Sequence, residues 1–365
     1  MRICIVVNNL NPNVGWGRLA LKVAEGFKMQ GHDVGFIIKK KSADLDLPNL
    51  VVPLGLSSLK NLLLLPLTLL QIRNFIKTYD VVLCYDVNPN AIILNMANLG
   101  QRNKVVIHAL ATYSLLGKGM PVRNFFMSWA YRRALKVLVV SEFTKRQIEK
   151  SGFKLGDYVI VPVGVDTNFF HPLLSEEKIL PYPYILTVGA LKPRKGYYIS
   201  IPAFKIIAEE FPDLKYVIIG HQGMTPHYDY LKNLVDELEL KDRVIFLEKI
   251  SDNDLLKYYN SAELFLMTSI TEPDTVEGFG MVYLEAGACG IPVIGAYNSG
   301  AEAAIIDNIN GFLVKNDPVE IANAMRKILS DKNLARTLGA NGIKRAKEFD
   351  WTNIIKLYED SIFVR

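Results

Sequence analysis

The chain is predicted to be an α/β protein with two doubly wound parallel-sheet domains. Three observations carry this. Short apolar runs alternate with helix-patterned segments from end to end, the order expected of βαβ units. At 365 residues the chain exceeds what one core comfortably holds. A proline-punctuated, charged stretch over 170–183 divides the alternation, with Pro172, Pro181 and Pro183 as its marks. The expected domains are 1–172 and 173–347, with a terminal helix over 348–365 packing back toward the first.

Element by element, strands of the first domain are read at 3–7, 34–38, 81–84, 105–107, 137–140 and 159–161. Each is a nearly unbroken apolar run, as suits strands covered on both faces. Helices fall between them, including 18–29 and 143–150. The second series has strands at 184–188, 215–219, 244–247, 264–268, 292–294 and 311–314, then helices at 318–329, 334–347 and 353–363. Two such domains imply a cleft, with ligands beyond the carboxyl ends of the strands.

Composition narrows the function. Half of the residues are hydrophobic, which supports a packed globular fold. The three cysteines, Cys4, Cys84 and Cys289, are scattered, mostly in apolar runs, and read as core thiols of a reducing compartment. His108, His171, His221 and His227 lack partners at metal-ligand spacing, so no metal is expected. Arg2 leads directly into an apolar strand with no cleavage-site pattern, and the run 62–70 is interrupted by Pro66, too short to span a bilayer. A cytoplasmic location is expected. Residues 1–172 carry 21 Lys/Arg against 10 Asp/Glu, whereas 173–365 carry 21 against 27. A basic half joined to an acidic half implies different partners for each.

The stretch Glu277-Gly278-Phe279-Gly280 opens an apolar helix-forming run that contains Glu285. Small residues let backbone approach a phosphate, and a helix start offers N–H groups. Two carboxylates can hold vicinal hydroxyls. If both lay on one helix they would stand roughly 12 Å apart, wider than a glycosidase pair, and would grip two parts of one long ligand. The plain alternative is a Glu at a helix start plus an exposed helix Glu. Lys192-Pro193-Arg194-Lys195-Gly196 follows the first strand of the second domain and offers cations for a departing diphosphate, or a solvated basic turn.

Gly15-Trp16-Gly17-Arg18-Leu19-Ala20 fits the dinucleotide fingerprint in outline. Its first glycine comes too late after the strand, and the second strand ends in Lys39-Lys40-Lys41 rather than an acid, so it reads better as a glycine loop facing an anion or acceptor. His108 ends an apolar strand, where such folds place ligand contacts. The segments 60–77 and 118–136 mix apolar or aromatic bodies with Lys60, Arg73, Lys77, Lys118, Arg123, Arg132, Arg133 and Lys136. Both suit an anionic membrane surface; a buried helix is the alternative for 62–70. No nucleic-acid module is recognisable.

These motifs together resemble the retaining glycosyltransferases of family 4, the group 1 glycosyl transferases. The resemblance covers essentially the whole chain and is strongest over 137–315. It rests on Glu277 to Glu285 with Ala288 to Val293, on Val163-Gly164-Val165-Asp166 with Phe170 and Pro172, on Val139-Val140-Ser141-Glu142-Phe143 and on Asn310-Gly311-Phe312-Leu313-Val314. It implies the GT-B fold, two Rossmann-like domains facing a cleft, and hexose transfer from a UDP- or GDP-linked sugar with retained configuration, without metal or further cofactor. By the same resemblance Glu277 holds the donor sugar, Gly278, Phe279 and Gly280 face sugar and diphosphate, and Glu285 takes the ribose diol. Lys195, with Arg194, meets the diphosphate, Gly15 and Gly17 lie beside the reaction centre, and His108 approaches the transferred sugar. Ala190 stands where the family has Arg, Glu248 where a glycine is common, and the loop 271–276 is longer and more acidic than usual. The expected acceptor is a glycan or lipid-linked molecule, with peripheral membrane contact through the basic first domain. Sugar-nucleotide epimerases share the implied fold, and a non-catalytic binding protein is the other alternative.

Overall fold

In a computed structural model the chain folds as two compact units, Met1–Val163 with Trp351–Arg365, and Gly164–Asp350. The structure describes residues 1–11, 15–39, 47–55, 58–101, 104–115, 120–174, 178–223, 226–272 and 275–363. Lys40, Lys41, Lys118, the linker residues 175–177 and the loop residues 273–274 lie outside the described residues.

The first unit holds a seven-stranded parallel sheet in the order β3-β2-β1-β4-β5-β6-β7. Its strands are β1 (Arg2–Val7), β2 (Asp33–Ile38), β3 (Asn49–Val51), β4 (Val81–Tyr85), β5 (Val105–Ala109), β6 (Lys136–Val139) and β7 (Tyr158–Ile160). Six match the sequence reading within two residues. The short edge strand β3 carries no apolar run long enough to announce it. Helices α1 (Gly15–Met29), α2 (Leu59–Ile76), α3 (Ile92–Ala97), α4 (Pro121–Arg133) and α5 (Glu142–Lys150) connect the strands. Ser58 caps α2 and Ser141 caps α5, each accepting from the amide three residues on. Gly15 and Gly17 are the first turn of α1, not a free loop. A Cβ on Gly17 would collide with the backbone of Asn11, whereas one on Gly15 would meet nothing within 4 Å.

The final helix, α13 (Trp351–Phe363), completes this unit. Ile355 occupies the space a side chain on Gly26 of α1 would need. The Tyr358 ring stands edge-on to Phe27 at 6.0 Å, and Glu359 meets His32 Nε2 at 3.0 Å. Tyr358 also donates to His108 Nδ1 at 2.7 Å. His108 Nε2 lies 2.9 Å from the carbonyl of Val161; a carbonyl only accepts, so Nε2 carries the proton. His108 is fully buried with both ring nitrogens engaged. The expectation that it approaches a sugar is therefore corrected: it is a core histidine that joins β5, the segment after β7, and α13.

Burial draws His108 down to about 3, so it stays neutral in the fold. Asp86, whose amide bonds the His108 carbonyl at 2.9 Å, is pushed the other way: burial raises it to about 7 despite bonds from Ser114 and the Leu110 amide. The unfolded chain protonates histidine below 6.5 and ionises aspartate above 3.8. Falling pH thus costs stability through His108, and rising pH costs it through Asp86, so the two slopes offset between pH 4 and 6.5. In Asp86→Asn the histidine slope stands alone. Below pH 6.5 the variant should lose about 1.4 kcal/mol per pH unit relative to the natural chain. Trp16, Trp129 and Trp351 all belong to this unit, so urea unfolding followed by tryptophan fluorescence reads it directly. Parallel pH profiles for the two proteins would refute the balance.

The second unit holds a six-stranded parallel sheet ordered β10-β9-β8-β11-β12-β13. The strands are β8 (Tyr184–Val188), β9 (Lys215–Ile219), β10 (Val244–Leu247), β11 (Leu264–Met267), β12 (Val293–Ala296) and β13 (Gly311–Val314). Around it lie α6 (Tyr197–Ala208), α7 (Pro226–Glu237), α8 (Asp252–Ser261), α9 (Met281–Ala288), α10 (Ala301–Ala304), α11 (Pro318–Ser330) and α12 (Lys332–Glu348). Ile201, Phe204, Ile218, Leu266, Ile321 and Met325 are at its buried heart. The chain passes between units at Val163 and Gly164 rather than at 172. Val165 pairs with Asp350, and the Leu173 amide donates to Asn260 Oδ1 at 2.8 Å, which ties 165–173 to the second unit. All three cysteines are buried and free.

Candidate donor site of the second unit

Strands β8 and β11 are neighbours, so the loops leaving their carboxyl ends emerge side by side. After β8 the chain makes a 3-10 turn, Pro193–Lys195, then passes through Gly196 at φ 72° into α6. The left-handed φ is why a glycine stands there. After β11 it runs through Thr268 toward Gly280, and α9 begins at Met281. Two bonds lock the loops together: Thr268 Oγ1 donates to the Gly196 carbonyl at 3.0 Å, and the Ile270 amide donates to the Arg194 carbonyl at 2.8 Å.

This brings Arg194 and Lys195 onto one carboxylate oxygen. Lys195 Nζ lies 2.9 Å from Glu277 Oε2, and Arg194 Nη1 bonds the same oxygen. Lys195 is buried, and its Nζ also faces Met267 Sδ at 3.4 Å. Burial, with Arg194 and Lys192 close by, draws Lys195 down to about 7, while the Glu285 carboxylate pulls the other way. Burial also lowers Arg194. A cation held partly against its own preference gains most from an incoming anion.

Glu277 and Glu285 do not share a helix. Glu277 sits in the approach to α9, and Glu285 is buried within α9, accepting from Tyr259 of α8 at 2.7 Å. The one-helix separation estimate therefore does not apply. Gly278, Phe279 and Gly280 form the turn between, with the Phe279 ring 5.7 Å from Phe349. Gly300, after β12, presses on this turn: a Cβ there would lie 2.6 Å from the Glu277 carbonyl oxygen and 2.6 Å from the Phe279 amide nitrogen. On the far side, α9 packs on α12 through glycines, a Cβ on Gly342 standing 3.0 Å from the Gly287 Cα. The unit thus clamps the turn and α9 from both sides.

Gly196, Tyr259, Met267 and Gly300 escaped the sequence reading as site residues. A glycine right behind a basic turn could have flagged Gly196; nothing local marks the others. Glu248, at the end of β10, is taken up by His221 and the Gln222 amide, and that bonding holds its carboxyl below the usual range. Gly15, Gly17 and His108 belong to the first unit. Among the described residues no group of three His, Cys, Asp or Glu side chains could hold a metal ion.

The family description "Glycosyl transferases group 1" matches residues 174–345, and "Glycosyltransferase Family 4" matches 15–169. The chain belongs to the group 1 glycosyltransferases. Relatives include the GDP-mannose-dependent alpha-(1-6)-phosphatidylinositol monomannoside mannosyltransferase of Mycolicibacterium smegmatis, 28% identical over 216 residues, 56% of each chain. The D-inositol 3-phosphate glycosyltransferase of Acidothermus cellulolyticus is 30% identical over 56% of this chain and 48% of that protein. The match thus spans about half the length of these curated relatives. Among solved structures, a glycosyltransferase from Rickettsia africae aligns with a TM-score of 0.83 at 21% identity, covering 100% of this chain and 99% of that one. Anabaena HepE in complex with UDP-glucose aligns at 0.82 and 20% identity, covering 99% of each. Two Rossmann-like parallel-sheet units matched over their whole length make the glycosyltransferase fold GT-B.

Proposed function

We propose that the protein moves a hexose from a nucleoside-diphosphate sugar, UDP- or GDP-linked, to an acceptor hydroxyl with retention of configuration. One observation carries this: a buried lysine and an arginine converge on a single carboxylate, Glu277, where two parallel strands end. Without a ligand, Glu277 balances both cations. An arriving diphosphate competes for Arg194 and Lys195, which frees Glu277 for the hydroxyls of the sugar. As the sugar–phosphate bond breaks, the pair of electrons goes to the leaving diphosphate, and the two cations stabilise the charge that develops there. In this reading they do so without metal or cofactor, and Glu285, held by Tyr259, takes the ribose diol. No side chain is assigned as base; an oxygen of the departing phosphate takes the acceptor proton. The basic charge of the first unit supports an acceptor that is lipid-linked or membrane-associated, met at the cytoplasmic membrane face.

The test is nucleotide release from UDP-, GDP- and ADP-sugars, with and without membrane-lipid extract, for the natural chain and Glu285→Ala. Release from one donor that rises with lipid and collapses in the variant is the expected outcome. Nucleotide binding without release from any donor would refute transfer, and conversion of a donor with no acceptor present would indicate an epimerase.

A further inference from the structure

Helix α2 breaks the usual rule for a surface helix. Its buried residues are Thr68, Ile72 and Ile76. The opposite side, which ought to be polar, carries Leu59, Leu62, Leu63, Leu67 and Leu70, with Leu59 75% and Leu63 74% exposed. The alternative of a buried leucine helix is thereby removed. Helix α4 repeats the pattern: Val122 is 70% and Phe125 62% exposed, with Phe126 beside them. α3 packs against both helices. The three connections β3 to β4, β4 to β5 and β5 to β6 all step the same way along the sheet, so right-handed crossovers put α2, α3 and α4 on one face. The apolar stripes of α2 and α4 therefore belong to one layer of the first unit, and isolated exposed leucines do not explain so many on one layer.

Charge selects the occupant. Residues 47–79 and 87–141 contain no Asp or Glu at all. Lys60 and Lys77 stand exposed at the two ends of α2, and Arg132 is exposed at the end of α4. A second copy of this chain docking by the same face would set these cations against each other. An anionic bilayer offers acyl chains for the leucines and headgroups for the cations. Among the described residues no helix is long and apolar enough to cross a membrane, which leaves a helix lying in the interface.

We infer that the α2–α3–α4 face of the first unit is a lipid-insertion surface, on which Leu59, Leu63, Leu67, Leu70, Val122 and Phe125 enter the acyl boundary of an anionic membrane while Lys60, Lys77 and Arg132 engage its headgroups. This deepens, and rests on, the proposal of a membrane-side acceptor.

Co-sedimentation with vesicles of equal parts phosphatidylcholine and phosphatidylglycerol tests it. The natural chain should bind these in preference to pure phosphatidylcholine, and raised salt should weaken binding without abolishing it. The double variant Leu63→Gln, Leu67→Gln should lose at least tenfold in partition with an unchanged melting temperature, because both side chains are exposed. Unaltered partition in the variant, or no binding by the natural chain, would overturn the inference. So would a dimer in sedimentation velocity that the same variant dissolves. Donor-sugar turnover with the membrane-lipid extract dispersed in detergent, where acceptor is present but no bilayer, separates this from the transferase reading: it should be equal in both proteins. Vesicle binding lost with turnover intact supports the surface; vesicle binding intact with no turnover in either protein overturns the transferase reading alone.

Discussion

Lys195→Ala is expected to lower kcat/KM for sugar transfer roughly a hundredfold to a thousandfold, the usual cost of removing one charge-stabilising group from a water-poor site. The lysine is buried, lies 2.9 Å from Glu277, and shares that carboxylate with Arg194. The variant keeps Arg194 on Glu277, so the site stays charge-balanced and the fold should survive. What is lost is the second cation for the leaving diphosphate. The loss has a pH signature. Lys195 titrates near 7, and the cation is present below that pH. The ratio of natural to variant kcat/KM should therefore be largest below pH 7 and shrink as pH rises beyond it. A ratio under about fivefold at pH 6 would remove Lys195 from the chemistry.

Gly196→Ala should be the most damaging conservative change at the site. Its φ of 72° is left-handed, and an added Cβ would fall on the carbonyl oxygen of Thr268 with Thr268 Oγ1 only 2.8 Å away. Backbone strain and overpacking together cost about 3 kcal/mol. To escape, the Pro193–Lys195 turn must move off the β11 loop. That breaks the bonds Thr268 makes to Gly196 and Ile270 makes to Arg194, and takes both cations away from Glu277. Stability and transfer should fall together. Urea unfolding followed by circular dichroism reads the first and donor turnover the second. Gly156→Ala is the control, since a Cβ there meets nothing within 4 Å. A Gly196→Ala protein within 1 kcal/mol of the natural chain, with full turnover, would show that the turn is not pinned as described.

Where the chemistry was written in residue type, the sequence could be read. Unbroken apolar runs located most strands, because parallel strands buried on both faces tolerate little else. Arg194, Lys195 and Glu277 were each legible, since cations after one strand and a Glu-Gly-Phe-Gly turn before a helix are unusual locally. Their meeting was not legible: it depends on β8 and β11 being neighbours although β9 and β10 intervene in sequence. Gly300 and Tyr259 were invisible for the same reason, as each acts on a turn or helix distant along the chain. His108 misled because the end of a parallel strand normally faces ligand; the aromatic ring of Tyr358, some 250 positions later, closes over it instead. For Leu62 to Leu70 the sequence left a surface helix and a buried one both open, since an apolar run ordinarily announces burial; the exposed leucines remove the buried alternative.

The first unit is assembled from both ends of the chain, and this bears on how the protein is made. Synthesis is vectorial, and N-terminal domains ordinarily close while the remainder is still being translated. Here Phe27, His32 and His108 wait for Tyr358, Glu359 and Phe363, which leave the ribosome only after all of Gly164–Asp350. The second unit, contiguous in sequence, can finish first. A nascent chain stalled before Trp351 therefore carries a complete second unit and an open-faced first one, with the α1 surface bare until α13 arrives.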